Sequence, residues 1–274
     1  MINILPDEMI IIIFDFLDHE GLIKMYKLDE RYQPIIKNNI WSNITIKLLR
    51  NKRIKKFIDD KWINCFVKYD LSTSEVNNDY IKYFSHCHTL DLYKCYNLTT
   101  GFTQYLTNCH TLDLSNTRVI DDDIKYLENC HTVILTYCEY LTDKSTEYLK
   151  KCYKVNLEFC HITDAGVKNL SNCKIVLLGN TKITRDSVKY LTNCIKLNIS
   201  ETDIINDDIK LLENIEILDI SYCHNISYEC IQYLKNIKIL NVEMTNIDID
   251  NIKKNYPYIK LDRSIPTTKI DYEH

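Results

Sequence analysis

The sequence predicts an α/β solenoid, in which one short structural unit is stacked many times. The stretch Cys-His-Thr-Leu-Asp-Leu begins at Cys87 and again, letter for letter, at Cys109, and a close copy begins at Cys130. Further units follow at intervals of 21 or 22 residues and begin at Cys152, Cys173, Cys194, Ile215 and Ile237. A fixed period in this range is typical of units that cannot bury their apolar faces alone and therefore stack on one another.

Each unit contains a short strand, a turn and a short helix. In every strand two apolar residues flank one intervening residue, and strand geometry turns the apolar pair inward and the intervening residue outward. A second apolar column follows the turn, and a third lies on the helix in pairs three residues apart, such as Val167 and Leu170. Thr142 and Thr163, each followed by an aspartate, are placed to cap their helices. These columns predict a leucine-rich repeat solenoid of about eight or nine units, with parallel strands on the concave side and helices on the convex side.

Composition divides the chain into four segments. These are a helical N-terminal module at 1–41, a coupling segment at 42–62, the solenoid at 63–262 and a C-terminal tail at 263–274. The coupling segment carries six basic residues between Lys47 and Lys56, and such a run is more often a solvated helix face than a nucleic-acid site. The net charge of −4 gives no support to nucleic-acid binding, and no apolar run is long enough to cross a membrane, so neither partner is expected.

Twelve cysteines occur in the chain, but their pattern favours neither a disulfide framework nor a metal site. Seven begin a unit, at Cys65, Cys87, Cys109, Cys130, Cys152, Cys173 and Cys194. Four more come three residues after a strand, where other units have threonine, at Cys95, Cys138, Cys160 and Cys223. Because cysteine and threonine share size and can both hydrogen-bond a turn backbone, the exchange indicates a requirement for shape and for a hydrogen bond, not covalent pairing. Adjacent Cys and His residues point to opposite faces of a strand, so no metal is expected, and no cofactor either.

The opening residues MINILPDEMI are acidic where an export signal is basic, which predicts a cytoplasmic protein with reduced, buried thiols. Abundant Ile, Asn, Lys and Tyr indicate an AT-rich coding genome, such as that of a protozoan or a large DNA virus. A viral protein would act in the host cytoplasm or nucleus. His88, His110 and His131 recur with the period, so we interpret them as part of the repeat rather than as general bases, and we predict no catalytic residues.

The N-terminal segment has a different pattern, which begins with a helix start at Pro6, Asp7 and Glu8. The aliphatic stripe that follows is too large for three short helices to bury, which implies a partner groove. A recognisable motif is formed by Leu5, Pro6, Glu8, Ile13, Phe14, Leu17, Leu22, Arg31, Tyr32 and Trp41. This motif resembles an F-box, the small module that binds the Skp-family adaptor of SCF-type cullin–RING ubiquitin ligases.

F-box proteins with Cys-containing leucine-rich repeats are a known architecture, so the position of the segment directly before such an array adds to the resemblance. Two features depart from the family, because Asp29 stands where a cysteine is common and Pro34 lies within the third helix. The resemblance implies adaptor contacts at Leu5, Pro6, Glu8, Met9, Ile13, Phe14, Leu17 and Leu22. The alternative is a helical cap that only covers the open N-terminal end of the solenoid.

The resemblance implies a non-catalytic substrate-recognition subunit, which holds a target protein near a loaded ubiquitin-conjugating enzyme. We expect the target on the concave face, at outward strand positions and the adjoining turns. These positions are Asp91, Tyr93, Asp113, Ile134, Tyr137, Asn156, Glu158, Phe159 and Leu177. The four apolar members in the middle units predict an exposed apolar centre, unless the C-terminal tail covers it. The competing function is a non-ligase scaffold or inhibitor with a helical cap.

Overall fold

The computed structural model describes residues 6–14, 17, 19–40 and 44–262, and its repeats form the α/β solenoid that the sequence predicts. Within these residues, one parallel sheet of eleven strands runs in sequential order. The strands are Thr45–Lys47 (β1), Lys68–Asp70 (β2), Thr89–Asp91 (β3), Thr111–Asp113 (β4), Thr132–Ile134 (β5), Lys154–Asn156 (β6), Ile175–Leu177 (β7), Lys196–Asn198 (β8), Ile217–Asp219 (β9), Ile239–Asn241 (β10) and Lys260–Leu261 (β11). Each strand pairs in register with the preceding one, so that Leu90 lies between Tyr69 and Leu112.

The connections between the strands carry short helices. The α-helices are Asp7–Phe14 (α1), His19–Leu28 (α2), Tyr32–Asn39 (α3), Asn51–Asp59 (α4), Asn78–Ile81 (α5), Asp121–Ile124 (α6), Asp143–Thr146 (α7), Asp164–Val167 (α8), Asn206–Ile209 (α9) and Ile249–Asn255 (α10). Between them lie 3-10 helices at Trp62–Asn64, Lys82–Phe84, Phe102–Tyr105, Lys125–Leu127, Lys168–Leu170, Arg185–Tyr190 and Tyr228–Tyr233. Among the helices of the described ranges, none combines the length and the apolarity that crossing a membrane requires.

One continuous apolar core runs through the stack, from Ile10 in α1 to Ile259 beside β11. The inward strand residues, the apolar column after the turn and the helix pairs all lie in this core, as the sequence predicts. In one unit, for example, Val155, Ile162 and Leu170 are completely buried. Because the side chains of each unit are covered by those of its two neighbours, the units are stable only as a stack.

Thr142 and Thr163 cap their helices, which confirms the prediction. Each side-chain oxygen accepts a hydrogen bond from the N–H two residues on, at 3.4 and 3.3 Å. Both threonines also reach the preceding unit, where Thr142 donates to Asp121 Oδ2 and Thr163 donates to Asp143 Oδ2, each at 2.6 Å. The caps therefore start a helix and tie one unit to the next.

The sheet begins earlier than the predicted solenoid boundary at residue 63. Both β1 and α4 lie within the predicted coupling segment, and β1 pairs with β2 as a regular member of the sheet. Ile46 at the centre of β1 and Ile54 in α4 are completely buried. A three-residue strand with one inward side chain and no repeat signature gives little signal in the sequence, which is why this unit was not predicted.

The N-terminal module contains three helices, including the third, in which Pro34 was an unusual residue. Pro34 occupies the first turn of α3, where backbone N–H groups have no intrahelical acceptor, so the ring removes no helical hydrogen bond. Asp29 Oδ1 accepts a hydrogen bond from the Arg31 N–H at 2.9 Å just before the helix. The Arg31 guanidinium also forms an ion pair with Asp7 at 2.9 Å, which connects the start of α3 to α1.

Candidate functional site

The predicted adaptor contacts divide into an interior and an exposed set. Phe14 and Leu22 are completely buried, and the Phe14 ring packs edge-on against Tyr32 with ring centroids 5.3 Å apart. These residues hold the N-terminal helices together, so their burial contradicts the prediction that they touch a partner directly. Leu5 lies outside the described residues, and so does the side chain of Glu8.

The exposed set forms an apolar strip on α1. Met9 is 48% exposed and Ile13 is 37% exposed, and the two lie about one helical turn apart. Pro6 is exposed at the start of this helix, and Leu17 is half-buried just beyond its end. We call these four residues the α1 strip.

Most of the predicted target contacts on the concave face are buried. Ile134, Asn156 and Leu177 are completely buried, and Asp113 and Glu158 are 3% and 4% exposed. Parallel strands lie about 4.8 Å apart, so each outward side chain is covered by the equivalent side chains of the neighbouring units. The prediction of an exposed apolar centre is therefore wrong for Ile134 and Leu177.

The polar residues of this face fix the backbone at the ends of the strands. In seven units the outward Asp or Asn accepts, through Oδ1, a hydrogen bond of 2.8–3.0 Å from the N–H two residues on. These residues are Asp70, Asp91, Asp113, Asn156, Asn198, Asp219 and Asn241. Ile134 and Leu177 occupy the same column without an acceptor. Asp and Asn in this column therefore meet a turn requirement of the repeat.

Glu158 lies at the centre of a hydrogen-bond network that spans three units. Its Oε2 accepts from Asn156 Nδ2 at 2.9 Å, and its Oε1 accepts from Asn198 Nδ2 at 2.7 Å. The unit in between has Gly179, on which a Cβ would lie 2.6 Å from Ser200 Oγ and 3.1 Å from the Asn198 amide. Burial raises the pKa of the Glu158 carboxyl to about 7, against the opposing effect of the two amides. The network therefore depends on glycine in the intervening unit.

A column of turn residues beside the strands carries exposed side chains. One residue per unit has a φ of 55–60°, at Thr73, Lys94, Asn116, Tyr137, Phe159, Asn180, Glu201, Tyr222 and Met244. This left-handed conformation is costly for residues other than glycine, so its recurrence shows that the repeat imposes the turn. Tyr137 is 44% exposed and Phe159 is 37% exposed, and their rings stack with centroids 4.1 Å apart. We call these nine residues the turn column.

The remaining target predictions agree better with an exposed surface. Tyr137 and Phe159 are exposed, and Asp91 and Tyr93 are partly exposed nearer the N-terminal end of the sheet. The apolar surface thus lies in the turns and not on the strands. The C-terminal tail, which was the predicted alternative cover, lies outside the described residues.

A stack of rings that the sequence analysis did not predict runs beside the strands. His88, His110, His131 and Tyr153 lie face to face, with successive centroids 4.5, 4.5 and 4.8 Å apart. Nδ1 of each histidine also lies 3.2–3.3 Å from the hydroxyl oxygen of the threonine that follows it. The recurring Cys-His pair was the available signal, but stacking also needs the register of adjacent strands. These contacts support the interpretation of the histidines as part of the repeat.

The exchange of Cys and Thr after the strands is explained by hydrogen bonds to strand-end carbonyls. Cys138 Sγ lies 3.2 Å from the carbonyl oxygen of Leu114 in the preceding unit, and Thr117 Oγ1 donates to that same carbonyl at 2.5 Å. Cys95 and Cys160 make the equivalent contact at 3.0 Å. The predicted hydrogen-bond requirement is confirmed, although the thiol reaches back one unit and the hydroxyl bonds within its own. Across the described ranges, no group of three or more His, Cys, Asp or Glu side chains is arranged to hold a metal ion.

We expect Cys65 to be the fastest-reacting thiol of the native protein at pH 8. Cys65 is half-buried, whereas the other eleven cysteines are buried and free. Burial raises the pKa of Cys95 to about 11 and that of Cys138 to about 12, so little reactive thiolate forms there. Alkylation followed by mass spectrometry is expected to modify the buried thiols at least ~100-fold more slowly than Cys65, and all twelve at similar rates in denaturant. Equal rates in the native protein would contradict this packing.

The fold is a leucine-rich repeat solenoid, and solved structures with this fold are similar to it. An internalin (inlF) from Listeria monocytogenes has a TM-score of 0.53 at 16% identity, over 72% of this chain and 67% of its own. Internalin C2 (inlC2) of the same bacterium has a TM-score of 0.52 at 18% identity, over 66% of this chain and 82% of its own. TLR13, in its complex with ssRNA13, has a TM-score of 0.57 at 14% identity, over 86% of this chain but 37% of its own.

Identities this low show the fold alone. No model of a known protein family matches the chain, and no curated protein matches it.

Proposed function

We propose that this chain is the substrate-recognition subunit of an SCF-type ubiquitin ligase. The N-terminal module docks on a Skp-family adaptor, which links it to a cullin–RING ligase, and the solenoid binds the target protein. The chain supplies no catalytic residue and acts by raising the local concentration of target lysines at the donor enzyme. The observation that carries this proposal is the α1 strip, in which Met9 and Ile13 stay exposed on the same helix whose Ile10 and Phe14 are completely buried.

The α1 strip favours a docking surface over a simple cap. A cap would turn its apolar side chains towards the first unit, yet Met9 and Ile13 are exposed while Ile10 and Phe14 of the same helix enter the core. Met9 and Ile13 are 48% and 37% exposed, so burial of this remaining surface against a partner contributes roughly 1–3 kcal/mol. The F-box resemblance assigns both exposed residues to adaptor contact.

For the target, we propose the turn column in place of the strand positions. Tyr137 and Phe159 present a stacked aromatic pair, and Tyr222 and Met244 extend the exposed column towards the C-terminal units. Aromatic residues and methionine are enriched at the centres of protein interfaces, where they fill pockets on the partner. The turn column therefore has the composition of a target-binding surface.

Isothermal titration of the full chain with purified Skp-family adaptors tests the docking proposal. We expect at least one adaptor to bind, and we expect Met9→Glu with Ile13→Glu to weaken binding at least ~100-fold, because two carboxylates would be buried against an apolar groove. Leu211→Glu, at an exposed aliphatic residue of the repeats, is the matched control and should bind like the unmodified chain. Thermal unfolding of each variant reports whether the module stays folded. Equal binding by the double variant, or no adaptor binding at all, would contradict the proposal.

A second candidate function, a scaffold or inhibitor whose module is only a cap, is favoured by one contact. Tyr26 in α2 packs edge-on against Trp62 with ring centroids 5.5 Å apart, so the module lies against the first part of the solenoid. A module that covers the solenoid end with α2 can still offer α1 to a partner. Failure of adaptor binding by a folded chain would leave the cap as the role of the module.

A further inference from the structure

A half-open groove between α2 and α4 collects basic side chains from two separate parts of the chain. Its volume is about 550 Å³, which is within the range of ligand-binding clefts. Its rim carries six basic residues, namely Lys24, Lys27, Arg50, Lys52, Arg53 and Lys56. The acidic lining residues are Glu20 and Asp60. We call this feature the α2–α4 groove.

Among the described residues, the rim cations have no carboxylate partner in an ion pair. All six side chains are exposed, and none of them forms an ion pair with a carboxylate of the described residues. Like charges gathered in one cleft repel one another and focus a positive potential there. Binding of an anionic group would relieve this repulsion.

The floor of the groove is apolar. It is formed by Ile23, Leu48, Phe57 and Trp62. The Trp62 side chain is 9% exposed, and Lys27 Nζ lies 5.1 Å from its ring centroid, over one face of the indole. A planar nucleobase therefore has little indole surface to stack on. The accessible apolar surface of the floor comes from the half-buried Ile23 and Phe57, which suit an apolar side chain.

We propose that the α2–α4 groove binds an acidic polypeptide segment that carries a bulky apolar side chain between its carboxylates. The carboxylates pair with the rim cations, and the apolar side chain fills the floor. An anion made of phosphate alone would leave the floor empty. Nucleic acid would pair its phosphates with the rim, but its bases would find little indole surface on which to stack. The site does not depend on the proposed ligase function.

We assign the acidic segment to another protein, because the rim offers six exposed cations to several carboxylates at once. In this chain, Asp271 and Glu273 follow β11, whereas the groove lies beside β1 at the opposite end of the eleven-stranded sheet.

Fluorescence anisotropy with the full chain tests this inference. The probe is a labelled synthetic peptide with glutamates on both sides of one central phenylalanine. Arg50→Glu with Arg53→Glu is expected to weaken binding at least ~30-fold, whereas Lys55→Glu, on the same helix but outside the groove, is expected to change it less than ~3-fold. Alanine in place of the phenylalanine of the peptide is expected to weaken binding about tenfold, because the floor stays unfilled.

Three outcomes would overturn the proposal. The peptide fails to bind in a saturable manner, or Lys55→Glu weakens binding as much as the double variant, which would indicate unspecific charge attraction. Alternatively, inorganic polyphosphate or single-stranded DNA binds as tightly as the peptide, which would identify a general polyanion site. If the charge reversals unfold the module, Arg50→Gln with Arg53→Gln provides a milder second variant, with an expected loss of about tenfold.

Discussion

Replacement of Asp113 by asparagine is expected to stabilise the fold at pH 8 by on the order of 3 kcal/mol, with most of that gain lost at pH 5. Burial raises the pKa of the Asp113 carboxyl to about 7, and the neighbouring Asp91 adds to the shift. An amide keeps the acceptor for the Ser115 N–H, which lies at 2.8 Å. Its NH₂ group can donate to Asp91, as Asn241 donates to Asp219 at 3.0 Å.

The direction of the pH effect follows from the raised pKa. Between the ordinary aspartate pKa of 3.8 and about 7, the folded protein keeps a proton on Asp113 that the unfolded chain has lost. The stability of the unmodified protein therefore falls as the pH rises through this window, and above it the fold carries the full cost of a buried charge. Urea unfolding of both proteins at pH 5 and pH 8 measures the difference. Glu158, whose carboxyl pKa is also raised to about 7, adds the same trend to both proteins.

Asp219→Asn is the matched control in the same column. Its carboxylate accepts hydrogen bonds from the Ser221 N–H at 2.9 Å, from Ser221 Oγ at 2.6 Å and from Asn241 Nδ2 at 3.0 Å. An amide cannot accept from all three groups, so we expect a loss of about 1 kcal/mol at pH 8. A stabilisation at Asp113 that is independent of pH, or equal to the effect at Asp219, would contradict the burial argument.

Gly179→Ala is expected to destabilise the protein by on the order of 2 kcal/mol, measured by urea unfolding. The added Cβ would lie 2.6 Å from Ser200 Oγ and 3.1 Å from the Asn198 amide atoms. Asn198 cannot move aside freely, because its Nδ2 donates to Glu158 Oε1 at 2.7 Å. The substitution therefore combines a steric clash with the loss of a hydrogen bond to a buried carboxylate.

A second substitution separates the two causes. Ser200→Gly removes the nearer clash but leaves Asn198 in place, so the double variant is expected to recover about half of the lost free energy of unfolding. Full stability of Gly179→Ala alone would show that the side chains around Glu158 rearrange without cost. In that case the hydrogen-bond network around Glu158 would not hold the three units rigidly.

The inward columns were predictable because their burial is decided within one unit, where period-2 alternation places residues such as Leu90 and Val155 in the core. The burial of the outward positions was not predictable, because the burial of Ile134, for example, depends on the side chains of the adjacent units. The left-handed turns gave no signal, since residues such as Tyr137 and Phe159 rarely adopt a positive φ. Their place in the repeat was predictable, but their backbone conformation was not.

At the N-terminus, the motif indicated a helical module. It could not distinguish the buried residues that hold the helices together from the residues that stay exposed. Phe14 and Met9 both match the expected pattern, and only helix packing shows that one is buried and the other exposed. The α2–α4 groove was not predictable either, because Lys24 and Arg53 come from different elements. The basic run in the coupling segment remains on the surface, as predicted, but four of its members face a shared cleft.

The turn column separates what the protein displays from what keeps it folded. Lysine, asparagine, tyrosine, phenylalanine, glutamate and methionine all occupy it with nearly the same φ. A new side chain there changes the outer edge of one layer and leaves the interior beneath it untouched. Recognition properties can therefore be altered layer by layer, with little risk to the integrity of the array.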